Sequence, residues 1–185
     1  MELLPIHTAR LLLRRFTPDD LVAFQSYRSD PEVGRYQGWE PMSDEAARAF
    51  LTDQSLQAFG PAGQWVQVAV THRETGEVIG DLGLCISDEH VGVVELGFTI
   101  ARPAQGNGYA TETLIAMLAA LLSMPGVRSI VAVTDARNAA SIALLHRVGF
   151  VRQFTESTIF RGQPCVEHTF SFAAREDSLN EPDNE

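Results

Sequence analysis

Residues 91–114, VGVVELGFTIARPAQGNGYATETL, constrain the fold more than any other stretch. An apolar strand-like run breaks into a loop with Gly106 and Gly108, then restarts with helical spacing. Leu114, Ile115, Met117, Leu118, Leu121 and Leu122 recur at i, i+3, i+4 and i+7, and Pro125-Gly126 ends the helix. A strand feeding a glycine-bearing helix entry suits an anion. Glycine lets a ligand approach the backbone, and the unpaired N–H groups of the first turn carry partial positive charge. A lone Gly-x-Gly fits an unliganded helix entry equally well. A dinucleotide fingerprint is disfavoured, because position 111 is Thr where a third small residue is needed, and the preceding strands read as a meander.

The basic residues narrow the chemistry. All 14 are Arg, with no Lys, which removes Schiff-base lysine mechanisms and Walker-type phosphate binding. A phosphate site must use backbone amides or Arg. The net charge of −10 argues against nucleic acid as a partner, and the short, charge-broken apolar runs argue against a membrane span. Five of the 24 acids fall in the basic-free stretch 176–185, EDSLNEPDNE. Residues 1–175 are therefore expected to form one domain, and 176–185 a disordered acidic tail. Cys85 and Cys165 lack metal-ligand spacing and the N-terminus lacks a signal-peptide pattern, so no metal and a cytoplasmic location are expected.

The periods along the chain predict an order of elements. A strand at 10–16 leads through Thr17-Pro18-Asp19-Asp20 into a helix to about 29, and Asp30-Pro31-Glu32 starts a short second helix. Loop 35–41, RYQGWEP, precedes a helix over 44–58 capped by Ser43, with Ala46, Phe50, Leu51 and Leu56 inward. Strands follow at 65–70, 78–86 and 91–100, the first two joined through Thr75-Gly76. After the helix at 108–123 come a strand at 129–134, a helix at 138–147 closed by Gly149, and strands at 150–160 and 165–172. This is an α+β order around one mixed sheet.

Gln105-Gly106-Asn107-Gly108-Tyr109-Ala110 resembles the acyl-CoA pyrophosphate loop Q/R-x-x-G-x-G/A of the GNAT superfamily of N-acyltransferases. Its extension Gly-Tyr-Ala-Thr-Glu, 108–112, resembles the RimJ/RimL-type branch, which acetylates ribosomal-protein N-termini. Thr8-Ala9-Arg10-Leu11, Ser29-Asp30-Pro31-Glu32-Val33, Glu95-Leu96-Gly97-Phe98, Asn138-x-x-Ser141-x-x-Leu144 and Gly149-Phe150 agree, so the likeness spans 8–172. It implies the GNAT fold: a mixed, mostly antiparallel sheet splayed between the fourth and fifth strands, 91–100 and 129–134, with helices on both faces.

The same resemblance implies acetyl-CoA as cosubstrate. The amides of Gln105, Gly106, Asn107, Gly108, Tyr109, Ala110 and Thr111 would hold the pyrophosphate. The backbone of Phe98, Thr99 and Ile100 would pair with the pantetheine arm and polarise the thioester. Asn138 would contact CoA, and Ser141 would protonate the leaving thiolate, a role many relatives give to Tyr; no Tyr follows Tyr109 here. As residues, Asn138 is equally a helix N-cap and Ser141 an ordinary first-turn residue.

Glu95 interrupts an apolar strand. Burial would raise its pKa toward that of a base for an ammonium, acting through water, although a carboxylate paired with Arg or a backbone amide is the alternative. Tyr36, Trp39 and Glu40 are the candidate acceptor contacts; Trp39 could instead plug the core, and a lone strand His such as His168 is usually structural. The expected activity is transfer of acetyl from acetyl-CoA to a primary amine, either a protein N-terminal α-amine or a small molecule, by direct attack in a ternary complex. The alternatives are another donor such as succinyl-CoA, and a non-catalytic CoA-binding module. The resemblance leaves a homodimer open.

Overall fold

The computed structural model describes residues 3–173, so the acidic tail lies outside the described residues. In chain order the elements are β1 (Ile6–His7), β2 (Leu11–Arg15), α1 (Leu21–Arg28), α2 (Pro31–Gly34), α3 (Asp44–Leu56), β3 (Trp65–His72), β4 (Val78–Ile86), β5 (Val93–Ile100), α4 (Tyr109–Leu122), β6 (Ser129–Asp135), α5 (Ala139–Arg147), β7 (Val151–Phe160) and β8 (Gln163–Ala173). The strands form one eight-stranded sheet in the order β1-β2-β3-β4-β5-β6-β8-β7. Every neighbouring pair is antiparallel except β5 and β6. Among the described residues no helix is long and apolar enough to cross a membrane.

Alternation along the strands decides which side chains meet which helices. Leu11 and Leu13 share a face with Val68 and Val70, Leu82 and Leu84, and Val94 and Leu96; α4 and α5 cover it with Leu114, Met117, Leu121, Leu144 and Leu145. On the other face Ala69 and Val78, with Phe16, pack against Leu21, Phe24 and Tyr27 of α1 and Ala47 and Leu51 of α3. Helices therefore lie on both faces, as expected. The helix starts also follow the sequence: the Asp30 carboxylate accepts from Glu32 N–H, and Ser43 Oγ accepts from Ala46 N–H.

Three details differ. α3 buries Ala47, Leu51 and Gln54, with Phe50 partly buried, whereas Ala46 is exposed and Leu56, the last helical residue, is 80% exposed. The inward stripe thus keeps Leu51 and part of Phe50 but takes Ala47 and Gln54 in place of Ala46 and Leu56. β1 was not anticipated, because a two-residue strand has no period; only its pairing, Ile6 with Leu13, defines it. β7 and β8 form a hairpin turned by Arg161 at φ 50° and Gly162 at φ 72°. Both residues at positive φ is the type I′ form of a two-residue turn, and Arg in the first place hid the signal.

Candidate active site

The site begins where the sheet comes apart. β5 and β6 pair in parallel only at Val93–Ser129, Val94–Ile130 and Glu95–Val131. Beyond Glu95 β5 stays paired with β4 but has no strand on its β6 side, and the buried backbone groups on that edge must find other partners. Two carbonyls do: Phe98 O accepts from Gln37 Nε2 at 3.2 Å, and Ile100 O accepts from Gln105 Nε2 at 2.9 Å. A cavity of about 1280 Å³ opens along the gap, walled by Phe98, Thr99 and Ile100, the start of α4, Asn138 and Ser141 of α5, and Tyr36 and Gln37.

Gly106 and Gly108 hold φ at 77° and 79°, and a Cβ on Gly106 would meet nothing within 4 Å. Both face the cavity, so the loop is open to a ligand at the end of α4, where the macrodipole favours an anion. Across the gap, Asn138 Oδ1 accepts from Ser141 N–H at 3.2 Å, which makes Asn138 the N-cap of α5, and Ser141 is buried on the cavity wall.

Paired charges surround Tyr36, which stands on the wall. Arg137 donates from Nε and Nη2 to Asp135 at 2.9 and 2.6 Å, and these bonds hold the buried Asp135 carboxyl below the usual carboxylate range. Tyr36 lies with its ring 6.0 Å from that guanidinium and donates its hydroxyl to Arg137 O at 3.4 Å. Arg35, also on the wall, pairs with Glu32 at 3.1 Å.

Residues 10–151 match the family described as an acetyltransferase (GNAT) domain. The chain belongs to the GNAT family. It is 30% identical over 149 residues to the uncharacterized N-acetyltransferase p20 of Bacillus licheniformis, covering 80% of this chain and 83% of that protein. Its fold superposes with a TM-score of 0.79 on a GNAT-family acetyltransferase from Bacillus anthracis, at 20% identity over 92% of this chain and 98% of the other. RimL, a ribosomal α-N-protein acetyltransferase solved with coenzyme A, aligns with a TM-score of 0.74 at 15% identity, over 90% of this chain and 95% of its own. Family membership makes this protein an acetyl-CoA-dependent N-acetyltransferase.

In this GNAT acetyltransferase the anticipated residues divide. Phe98, Thr99, Ile100, Gln105, Gly106, Gly108, Tyr109, Ala110, Thr111, Asn138, Ser141 and Tyr36 line the cavity. Asn107 belongs to the loop but is not on the wall. Glu95 ends the β5–β6 pairing, half-buried, on the opposite pleat from Phe98 and off the wall. Desolvation alone pushes its carboxyl above the ordinary glutamate value. Trp39 is also off the wall. It lies 4.5 Å from the Arg28 guanidinium and against Gly34, where a Cβ would come within 3.3 Å of the indole. Glu40 is exposed beside it. His168 pairs through Nδ1 with the Thr155 hydroxyl at 2.8 Å and does not line the cavity. Gln37 was missed: nothing in RYQGWEP distinguishes it, since its partner lies 61 residues away.

Proposed function

We propose that acetyl-CoA lies in the gap between β5 and β6 and that an amine enters from the side of Tyr36 and Arg137. The observation that carries this is the open β6-side edge of β5 beyond Glu95, facing the glycine entry of α4 and the Asn138–Ser141 turn across one cavity. Pantetheine amides would replace the Gln37 contact on Phe98 O, and the amides of residues 105–111 would hold the diphosphate without any lysine.

Acyl transfer needs a neutral amine, stabilisation of the oxyanion and a proton for the thiolate. The backbone of Phe98 to Ile100 would polarise the thioester, with Asn138 contacting the arm. Ser141, buried on the wall, is the assigned donor to sulfur. Glu95 is the assigned base and works through water, because it does not reach the cavity itself. In that role the acyl carbon gains the amine nitrogen and loses sulfur, the amine proton passes to Glu95 by way of water, and the thiolate leaves as thiol.

Acetyl is favoured over succinyl at the Tyr36 end of the cavity, because Arg35 there is paired with Glu32 and Arg137 beside Tyr36 with Asp135, while Arg147, the other arginine on the wall, lies six residues beyond Ser141 at the end of α5. Tyr36 is the acceptor contact on the wall. Trp39 and Glu40 would act on the acceptor through the loop that carries Tyr36. Residues 1–175 would form the whole catalytic unit, in a reducing cytoplasm that keeps Cys85 and Cys165 as the free thiols they are. A homodimer is consistent with exposed Val151 and Phe154 on the outermost strand, and light scattering tests it.

A panel of peptide N-termini, polyamines and aminoglycosides, run with acetyl-CoA and succinyl-CoA and followed by thiol release, tests the reading. Turnover with acetyl-CoA and at least one amine is expected. Acetyl-CoA binding with no thiol release across the panel would favour the non-catalytic module.

A further inference from the structure

Glu112 puts a carboxylate in the first turn of α4, beside the loop assigned to the diphosphate. A bare carboxylate there would compete with phosphate for the same dipole. Glu112 is engaged instead by residues more than 100 positions away in sequence. Thr8 Oγ1 donates to Glu112 Oε1 at 2.6 Å, Arg10 N–H donates to Oε1 at 2.8 Å, and Arg10 Nε donates to Oε2 at 2.7 Å. The same guanidinium reaches the loop. Arg10 Nη1 donates to Asn107 O at 2.9 Å, and the group lies 4.4 Å from the centre of the Tyr109 ring. That ring meets His72 edge-on at 6.0 Å. The turn bearing Thr8 and Arg10 is itself braced from the β3–β4 connection: Arg73 N–H donates to Arg10 O at 2.8 Å, and Arg73 Nη1 donates to Thr8 O at 3.1 Å.

We propose that Thr8, Arg10 and Glu112 form a clamp that holds residues 107–109 in the shape that binds the donor's diphosphate, which makes all three positioning residues. The proposal rests on the assignment of that loop to diphosphate given above. Three observations support a role beyond general stability. The clamp grips both the loop, through Asn107 O and Tyr109, and the helix, through Glu112. It lies outside both apolar clusters, with the Arg10 side chain 45% exposed. It also satisfies the one carboxylate that would oppose an anion there. Burial pushes the Glu112 carboxyl up, but the hydrogen bonds from Thr8 and from the amide and guanidinium of Arg10 outweigh this and hold it below the usual carboxylate range.

The test compares a ligand that uses the loop with one that does not. CoA and pantetheine, which lacks the diphosphate, are titrated calorimetrically into the full chain as wild type, R10Q, E112Q, T8V and the R10Q/E112Q double variant. R10Q and E112Q should each weaken CoA by about tenfold while leaving pantetheine within about twofold. The double variant should be scarcely worse than the poorer single, because either change opens the same clamp. Should R10Q fail to fold, E112Q and T8V carry the same comparison. Equal weakening of both ligands, or a wild-type CoA-to-pantetheine ratio in every folded variant, would overturn the clamp alone. A wild type that binds CoA no tighter than pantetheine would overturn the loop assignment and the clamp with it.

Discussion

Asp81→Asn isolates the ion pair beneath the acceptor loop. Asp81 Oδ2 accepts from Tyr27 Oη at 2.5 Å and from Arg28 Nη2 at 2.8 Å, and the side chains of Arg28 and Asp81 are only 7% and 3% exposed. Burial first, then the Asp81 charge, pushes the Tyr27 phenol well above its ordinary value, so it stays a donor at any working pH. Asparagine keeps an acceptor of the same shape but removes the charge and leaves the guanidinium buried without a counter-ion. Breaking such a pair costs about 3–5 kcal/mol, and the retained amide puts this case near 3. For a domain of this length that lowers Tm by about 6–12 °C. Urea denaturation should show a lower midpoint at unchanged slope. Arg28 carries Trp39 on its flat face, so the acceptor KM should rise while CoA affinity holds. Replacing both partners, Arg28→Met with Asp81→Leu, should recover much of the loss. A D81N cost below about 1 kcal/mol, or a double variant equal to the sum of its singles, would refute the picture of a desolvated, coupled pair.

E95Q should remove the acidic limb of the pH–rate profile. The sign for stability follows from the raised folded pKa: the native state holds its proton more tightly, so stability falls as pH rises from the unfolded pKa through the folded one. E95Q should therefore be no less stable than wild type at neutral pH while slower in turnover, and an unchanged pH profile would remove Glu95 as base. S141A should lower kcat by about 100-fold with CoA affinity little changed, and full turnover would exclude it as the thiolate's proton donor. Gly80→Ala places a Cβ 2.1 Å from Thr99 O, inside the β4–β5 approach, and should cost about 1–3 kcal/mol by urea denaturation.

Most elements were readable because their signals are local. The helix at α4, the Thr75-Gly76 hairpin and the Gly149 cap each depend on spacing within a dozen residues. The glycine loop was readable as chemistry for the same reason. What was not readable depends on partners distant in the chain. Gln37 finds Phe98 O, Trp39 finds Arg28 rather than the cavity, and Thr8 with Arg10 finds Glu112. The water-mediated role expected of Glu95 has a sequence-level reason. Glu95 and Phe98 are three apart on a strand, so alternation puts their side chains on opposite faces, and Thr99, which shares the Glu95 face and lines the cavity, stands four residues nearer to it.

On its β6 side the sheet lacks a strand for the five residues that follow Glu95 on β5, and on the proposed reading the donor's own amides fill that place. The donor is then held as one strand holds another, by main chain rather than by side chains. A fold that recognises its ligand this way can change nearly every side chain around the donor and keep it. Selectivity for the amine is free to diverge on the opposite rim, where Tyr36, Arg137 and Asp135 meet.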